Sequence, residues 1–150
     1  MVMNETESHR KKEQEVVDAI QRKLGYDYDI SPPLPYSYII DRALIKNGKI
    51  AAWLEIKCPK NKEYYMSDRY NISLRKLKDG LLWSQTTNAP FFLAVKFTDH
   101  IAIGEITEKI IQYDSEIKWG GRRDRGQNSD LELMVSIPIE QFRLLGNFNL

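Results

Sequence analysis

Asn47-Gly48 sits between two apolar runs, and that dipeptide constrains this chain more than any other feature. Asn and Gly tolerate the positive φ angles of a tight turn between antiparallel strands, so the pair predicts a hairpin with strands over 36–45 and 49–57. Upstream, Pro32, Pro33 and Pro35 forbid helix and central strand, which makes 27–35 a loop. Before that loop, Val16, Val17, Ile20 and Leu24 recur at spacings of three and four, predicting a helix over 7–24 that stops at Gly25. Residues 1–8 read as a loose tail. Downstream, 58–72 reads as irregular. A second helix is expected from Ser73 as N-cap to about Thr86, with Leu74, Leu77, Leu81 and Leu82 on its inner side. Strands at 91–97 and 100–106 follow, then a mobile basic loop at 114–130, a strand at 131–136 and a helical turn at 138–145. The order α-β-β-α-β-β predicts an α/β chain of the α+β kind, a mixed sheet flanked by helices in a single domain spanning 1–150.

The bulk composition agrees with a folded enzyme-sized domain and excludes several classes. With 150 residues, 42% of them hydrophobic and 29% charged, the chain can bury a real core. A net charge of +1 argues against a protein that merely coats nucleic acid, but not against an enzyme that binds it transiently with the help of cations. The one cysteine, Cys58, rules out an intramolecular disulfide and a cysteine-based zinc site, and it fits a reducing cytoplasm. No apolar run approaches the roughly 18 residues that a membrane helix needs, and the charged N-terminus has no apolar core behind it. A cytoplasmic location without a membrane partner is the expectation.

The chemistry concentrates in residues 39–60, IIDRALIKNGKIAAWLEIKCPK. Residues two apart in a strand share a face, so Glu55 and Lys57 project together while Ile50, Ala52, Leu54 and Ile56 line the other side. Whether Asp41 joins Glu55 depends on register. A two-residue turn sets Asp41 opposite Leu54, on the wrong face. A three-residue turn, Lys46-Asn47-Gly48 with Gly48 left-handed in a bulge, sets it opposite Trp53 and diagonal to Glu55. That register also pairs Leu44 with Ile50 and Ile40 with Leu54, so the three-residue turn is the expectation. Two carboxylates and a lysine at one strand end suit a hard divalent cation, which takes oxygen ligands, polarises a phosphoryl group and acidifies water. The alternative is a solvated strand face.

Asp41 followed by Glu55-Ile56-Lys57 on the next strand resembles the PD-(D/E)XK nuclease superfamily. The hairpin, the helix before it and the α-β pair after it extend the resemblance over roughly residues 9–106. The resemblance implies a restriction-endonuclease-like αβββαβ core, Mg²⁺ or Mn²⁺ as cofactor, and hydrolysis of DNA phosphodiesters. It implies Asp41, Glu55 and the Ile56 carbonyl as metal ligands and Lys57 as the lysine assisting the attacking water. Many members add a glutamate from the first helix, where Glu13 and Glu15 are both available. Glu13 lies on the stripe with Val16, Val17 and Ile20, so it is preferred. Ile40 stands where the motif's proline would be. DNA is the implied partner and a homodimer is compatible with cutting two strands. The form of DNA stays open, as does a protein on the same fold that binds nucleic acid without turnover.

Other residues are weaker candidates. The resemblance implies that the second helix can present a basic or amide side chain to the site or to DNA, and Arg75, Lys76 and Gln85 are available there, Lys76 first among them; a solvated helix face is the alternative. In 118–125, Lys118, Trp119, Arg122, Arg123 and Arg125 combine cations, glycines and an aromatic suited to a phosphate backbone and a stacked base. The run His9-Arg10-Lys11-Lys12 reads as a solvated helix start, Tyr64, Tyr65 and Tyr70 as packing under a loop, His100 as structural, and Cys58 as a packed thiol.

Overall fold

The computed structural model describes residues 7–121 and 131–150. Most of the expected tail, and Arg122, Arg123 and Arg125 of the expected basic loop, lie outside the described residues. Helix α1 (Glu7–Leu24) runs as its periodicity predicts, with Val16, Val17 and Ile20 buried. Strands β1 (Asp29–Ile30), β2 (Arg42–Lys46), β3 (Lys49–Lys57), β5 (Phe91–Lys96), β6 (Ile101–Glu105) and β9 (Arg143–Leu144) form a mixed sheet in the order β1-β2-β3-β5-β6-β9. Only β3 and β5 run parallel within it. A parallel pair needs a crossover, and here it passes through β4 (Arg69–Ser73) and helix α2 (Leu74–Thr87). A central mixed sheet with a helix packed on each face is the architecture expected from the element order.

Both faces of this sheet are buried. Leu44, Ala52, Leu54, Ile56, Phe92 and Ala94 pack under the α1 residues Val16, Val17 and Ile20. Ala43, Trp53, Leu93 and Val95 pack on the other side with Leu77 of α2. The α2 contact is close at Gly80, where an added Cβ would lie 2.3 Å from Phe91. Leu82 points outward and is 58% exposed, contrary to expectation. Trp83 takes the inner position instead, stacked on Tyr38 and edge-on to Trp53.

A second sheet, not expected from the sequence, has the order β4-β8-β7, where β7 is Glu116–Gly121 and β8 is Leu131–Pro138. In β4 the alternation of buried Tyr70 and Ile72 carried the signal, but five residues among polar neighbours are a short sample of it. Residues 116–121 are therefore strand rather than loop. The two glycines and the charges of that segment hid the strand, and it is recruited by pairing with β8, whose Val135 and Ile137 are fully buried. The segment 36–41 also departs from expectation. Pro35 starts a 3-10 turn over Tyr36–Tyr38, and Ile39 ends it in the left-handed region at φ 63°. The strand begins only at Arg42.

Ala at a helical glycine normally stabilises by about 1 kcal/mol. At position 80 the sign should reverse, because the Phe91 ring is only 1% exposed and cannot swing away. Gly80→Ala should lower stability by about 1–2 kcal/mol through overpacking, read as a lower urea midpoint at unchanged m-value.

Candidate functional site

The hairpin turn is the two-residue Asn47-Gly48 turn, not the three-residue one. Asn47 and Gly48 both have positive φ, at 52° and 72°, and Lys46 pairs with Lys49. The conformation suits this dipeptide and matches the twist of the strands. Left undistorted, it would aim Asp41 away from Glu55. A bulge corrects the parity: Ile45 pairs with Ile50 but Leu44 pairs with Ala52, so Ala51 is an extra residue in β3. Beyond the bulge Ala43 faces Trp53 and Arg42 faces Leu54. Continued by one residue, this register sets Asp41 level with Glu55.

Asp41 lies just outside the ladder and substitutes a side-chain bond for a backbone one. The Ile56 N–H donates to Asp41 Oδ2 at 2.7 Å. In an antiparallel ladder a residue's N–H and C=O face the same neighbour, so the Ile56 carbonyl leaves β3 on the same edge as Asp41. The Asp41 carbonyl in turn accepts from Leu34 N–H at 2.9 Å, tying the proline-rich strap to the site.

Glu55 is 1% exposed. Its Oε2 lies 3.4 Å from Lys57 Nζ and 3.4 Å from Lys76 Nζ, and it accepts no hydrogen bond. Burial pushes its carboxyl from 4.5 up to about 7, helped by the charge of Asp41 and opposed by Lys57 and Lys76. Lys76 Nζ also donates to the Ile39 carbonyl at 3.3 Å. Asp41, Glu55, Ile56, Lys57 and Lys76 all line one cleft of about 1170 Å³.

Glu13 lines the same cleft but belongs to the α1 face of the sheet. There its Oε1 meets Arg42 at 3.4 Å, and both side chains are nearly buried. Glu15 is half exposed and lies 3.9 Å from Lys96. Gln85 bonds to Glu108. Tyr70 is core, edge-on to Phe97 and Phe142, while Tyr64, Tyr65 and His100 form an aromatic cluster apart from the cleft. Cys58 packs at the α1 side, where burial raises its thiol pKa. Trp119 is 64% exposed on β7. The superfamily resemblance singles out Lys76 as a basic side chain that α2 can present to the site or to DNA. Its reach to Glu55 depends on how α2 crosses the sheet, which no spacing encodes.

Among the described residues, no group of three or more His, Cys, Asp or Glu side chains is disposed to hold a metal ion. The arrangement instead offers two carboxylates and a backbone carbonyl. That set suits a hard cation which keeps several waters and takes further oxygens from substrate. The buried Glu55 Oε2, without a hydrogen bond, is the observation that makes these residues fit such an ion.

A family profile described as "phage putative PDDEXK endonuclease" matches residues 2–145. A search of curated protein sequences finds no match. Among solved structures, the chain is similar to Hjc of Archaeoglobus fulgidus, a Holliday junction resolvase from an archaeal hyperthermophile. The TM-score is 0.52 and the identity 10%, over 91% of this chain and 96% of that one. The two proteins share a fold. No described helix is long and apolar enough to cross a membrane.

The carboxyl of Glu55 is held above its unfolded value, so the folded state binds that proton more tightly. The metal-free protein should therefore lose stability as pH rises from about 4.5 to about 7. The loss is at most about 3 kcal/mol. Glu55→Gln should abolish that portion. Urea unfolding in a chelator at pH 5 and pH 8 should show the variant gaining on the wild type at the higher pH; a pH-independent difference would refute the assignment.

Proposed function

Because the chain belongs to the phage PDDEXK endonuclease family, we propose that it is a divalent-metal-dependent nuclease hydrolysing DNA phosphodiesters at the Asp41–Glu55–Lys57 cleft. The observation that carries this reading is the Glu55 carboxylate, buried without a hydrogen bond on Oε2, at the strand end where Asp41 and Lys57 meet it. Asp41, Glu55 and the Ile56 carbonyl would hold Mg²⁺ or Mn²⁺. Such an ion supplies charge for the phosphoryl oxygens and an acidified water. Glu13 is the candidate fourth ligand, held at the cleft by Arg42.

The chain's own residues account for the rest. Lys57 lies two residues beyond Glu55 on a rigid, doubly covered strand, so its ammonium is positioned to orient the attacking water and stabilise developing negative charge. The Ile56 N–H donates to Asp41 Oδ2, which holds the carboxylate at the strand end. DNA would meet Lys76 at the cleft and Trp119 on the exposed face of β7, with Arg122, Arg123 and Arg125 following Trp119 in the sequence. Phosphate contacts from these cations would add affinity that falls with salt.

Incubation of the full chain with duplex, flap, junction and single-stranded DNA in Mg²⁺ and Mn²⁺ tests the reading. Wild type should cleave at least one form only with metal. Lys57→Ala should cleave it about 10²-fold more slowly or worse, with the melting temperature and DNA affinity retained. Wild type that binds DNA but cleaves none of the panel would instead establish a binding protein on a nuclease fold.

A further inference from the structure

Two ammonium groups converge on one buried oxygen. Lys57 Nζ and Lys76 Nζ both lie 3.4 Å from Glu55 Oε2, and they come from different elements. Lys57 stands on β3 itself, two residues from Glu55. Lys76 sits in the first turn of α2, whose body is pinned by fully buried Leu77 and by Gly80 against Phe91. The helix is therefore fixed, and only the lysine stem would have to move for the ammonium to leave Glu55. Its side chain is 29% exposed and opens onto the cleft, and its ammonium already has a second partner in the Ile39 carbonyl, 3.3 Å away. Ile39 is a β-branched residue in the left-handed region, φ 63°, one residue from Ile40 and two from Asp41. A β-branched residue rarely adopts this conformation, and such strain gathers at functional sites.

A divalent ion beside Glu55 and Asp41 would make a third cation at two carboxylates. Repulsion then favours the departure of one ammonium, and Lys76 already has an alternative partner in the Ile39 carbonyl on the side of the cleft. We propose that Lys76 is the resident counter-ion of this site: in the metal-free protein its ammonium neutralises Glu55, and the divalent cation displaces it toward the cleft mouth, where it meets substrate phosphate. The proposal rests on the nuclease reading above. It makes Lys76 a positioning residue that couples metal binding to DNA binding, and it gives the metal-free enzyme a reason not to expose an unpaired buried charge.

Calorimetric titration of the full chain with Mn²⁺ alone, without DNA, tests this apart from activity. A neighbouring charge at this range changes ion binding by about one power of ten or more. Lys76→Met should therefore bind Mn²⁺ about tenfold tighter than wild type, whereas Lys76→Arg, which keeps the charge, should resemble wild type. Lys76→Gln serves if the Met variant fails to fold, with melting temperatures checked for each. In a second arm, Ca²⁺ should strengthen DNA binding more in wild type than in Lys76→Met. Unchanged or weaker Mn²⁺ binding by the neutral variants, or equal tightening in Lys76→Arg, would overturn the proposal alone. Absence of Mn²⁺ binding in wild type and variants alike would overturn the nuclease reading and this inference with it.

Discussion

The hydrogen bond from the Ile56 N–H to Asp41 Oδ2 closes the end of the hairpin and sets everything the site can do. Strand β2 stops pairing at Arg42, so the next N–H of β3 that faces it would be left bare in a buried setting. Asp41 satisfies it with a side chain. One contact thereby ends the ladder, holds a carboxylate level with Glu55, and leaves the Ile56 carbonyl directed at the same edge. The strap over 31–39 then folds back through Leu34 N–H and the Asp41 carbonyl to form one wall of the cleft.

Charge balance follows from a sheet buried on both faces. Any buried ionised group on β2 or β3 must find its partner on its own side. Arg42, 5% exposed on the α1 face, finds Glu13 and the Ser31 carbonyl. Glu55 on the α2 face has two lysine ammoniums 3.4 Å from its Oε2. The first pair ties α1 to the hairpin, although Arg42 Nε is itself left without a hydrogen bond. The second leaves Glu55 Oε2 without a hydrogen bond where Asp41 also lines the cleft, a combination suited to a binding centre.

Much of the fold was legible because its signals are local. The stripe of Val16, Val17 and Ile20 marks α1, Asn47-Gly48 marks the hairpin, and the apolar run Phe91–Val95 marks a doubly covered strand. The turn differs from the expectation for a physical reason. Face parity between Asp41 and Glu55 need not come from the turn alone, and the chain meets it with an ideal two-residue turn and an extra residue at Ala51. Ala51 carries no sequence mark as a bulge; small residues tolerate the irregularity but do not announce it. Likewise β7 exists by pairing with β8, so its own residues, two glycines and two charges among six, argue for a loop.

By itself the amino-acid sequence determined the helices, the hairpin and the shared face of Glu55 and Lys57, because periodicity and turn chemistry act over a few residues. The tertiary structure alone decided that Glu13 is engaged by Arg42 while Lys76 reaches Glu55. Those contacts depend on which face of the sheet each helix covers and on side chains far apart in the chain. No local spacing reports that geometry, and the burial that raises the Glu55 carboxyl exists only once both helices have docked.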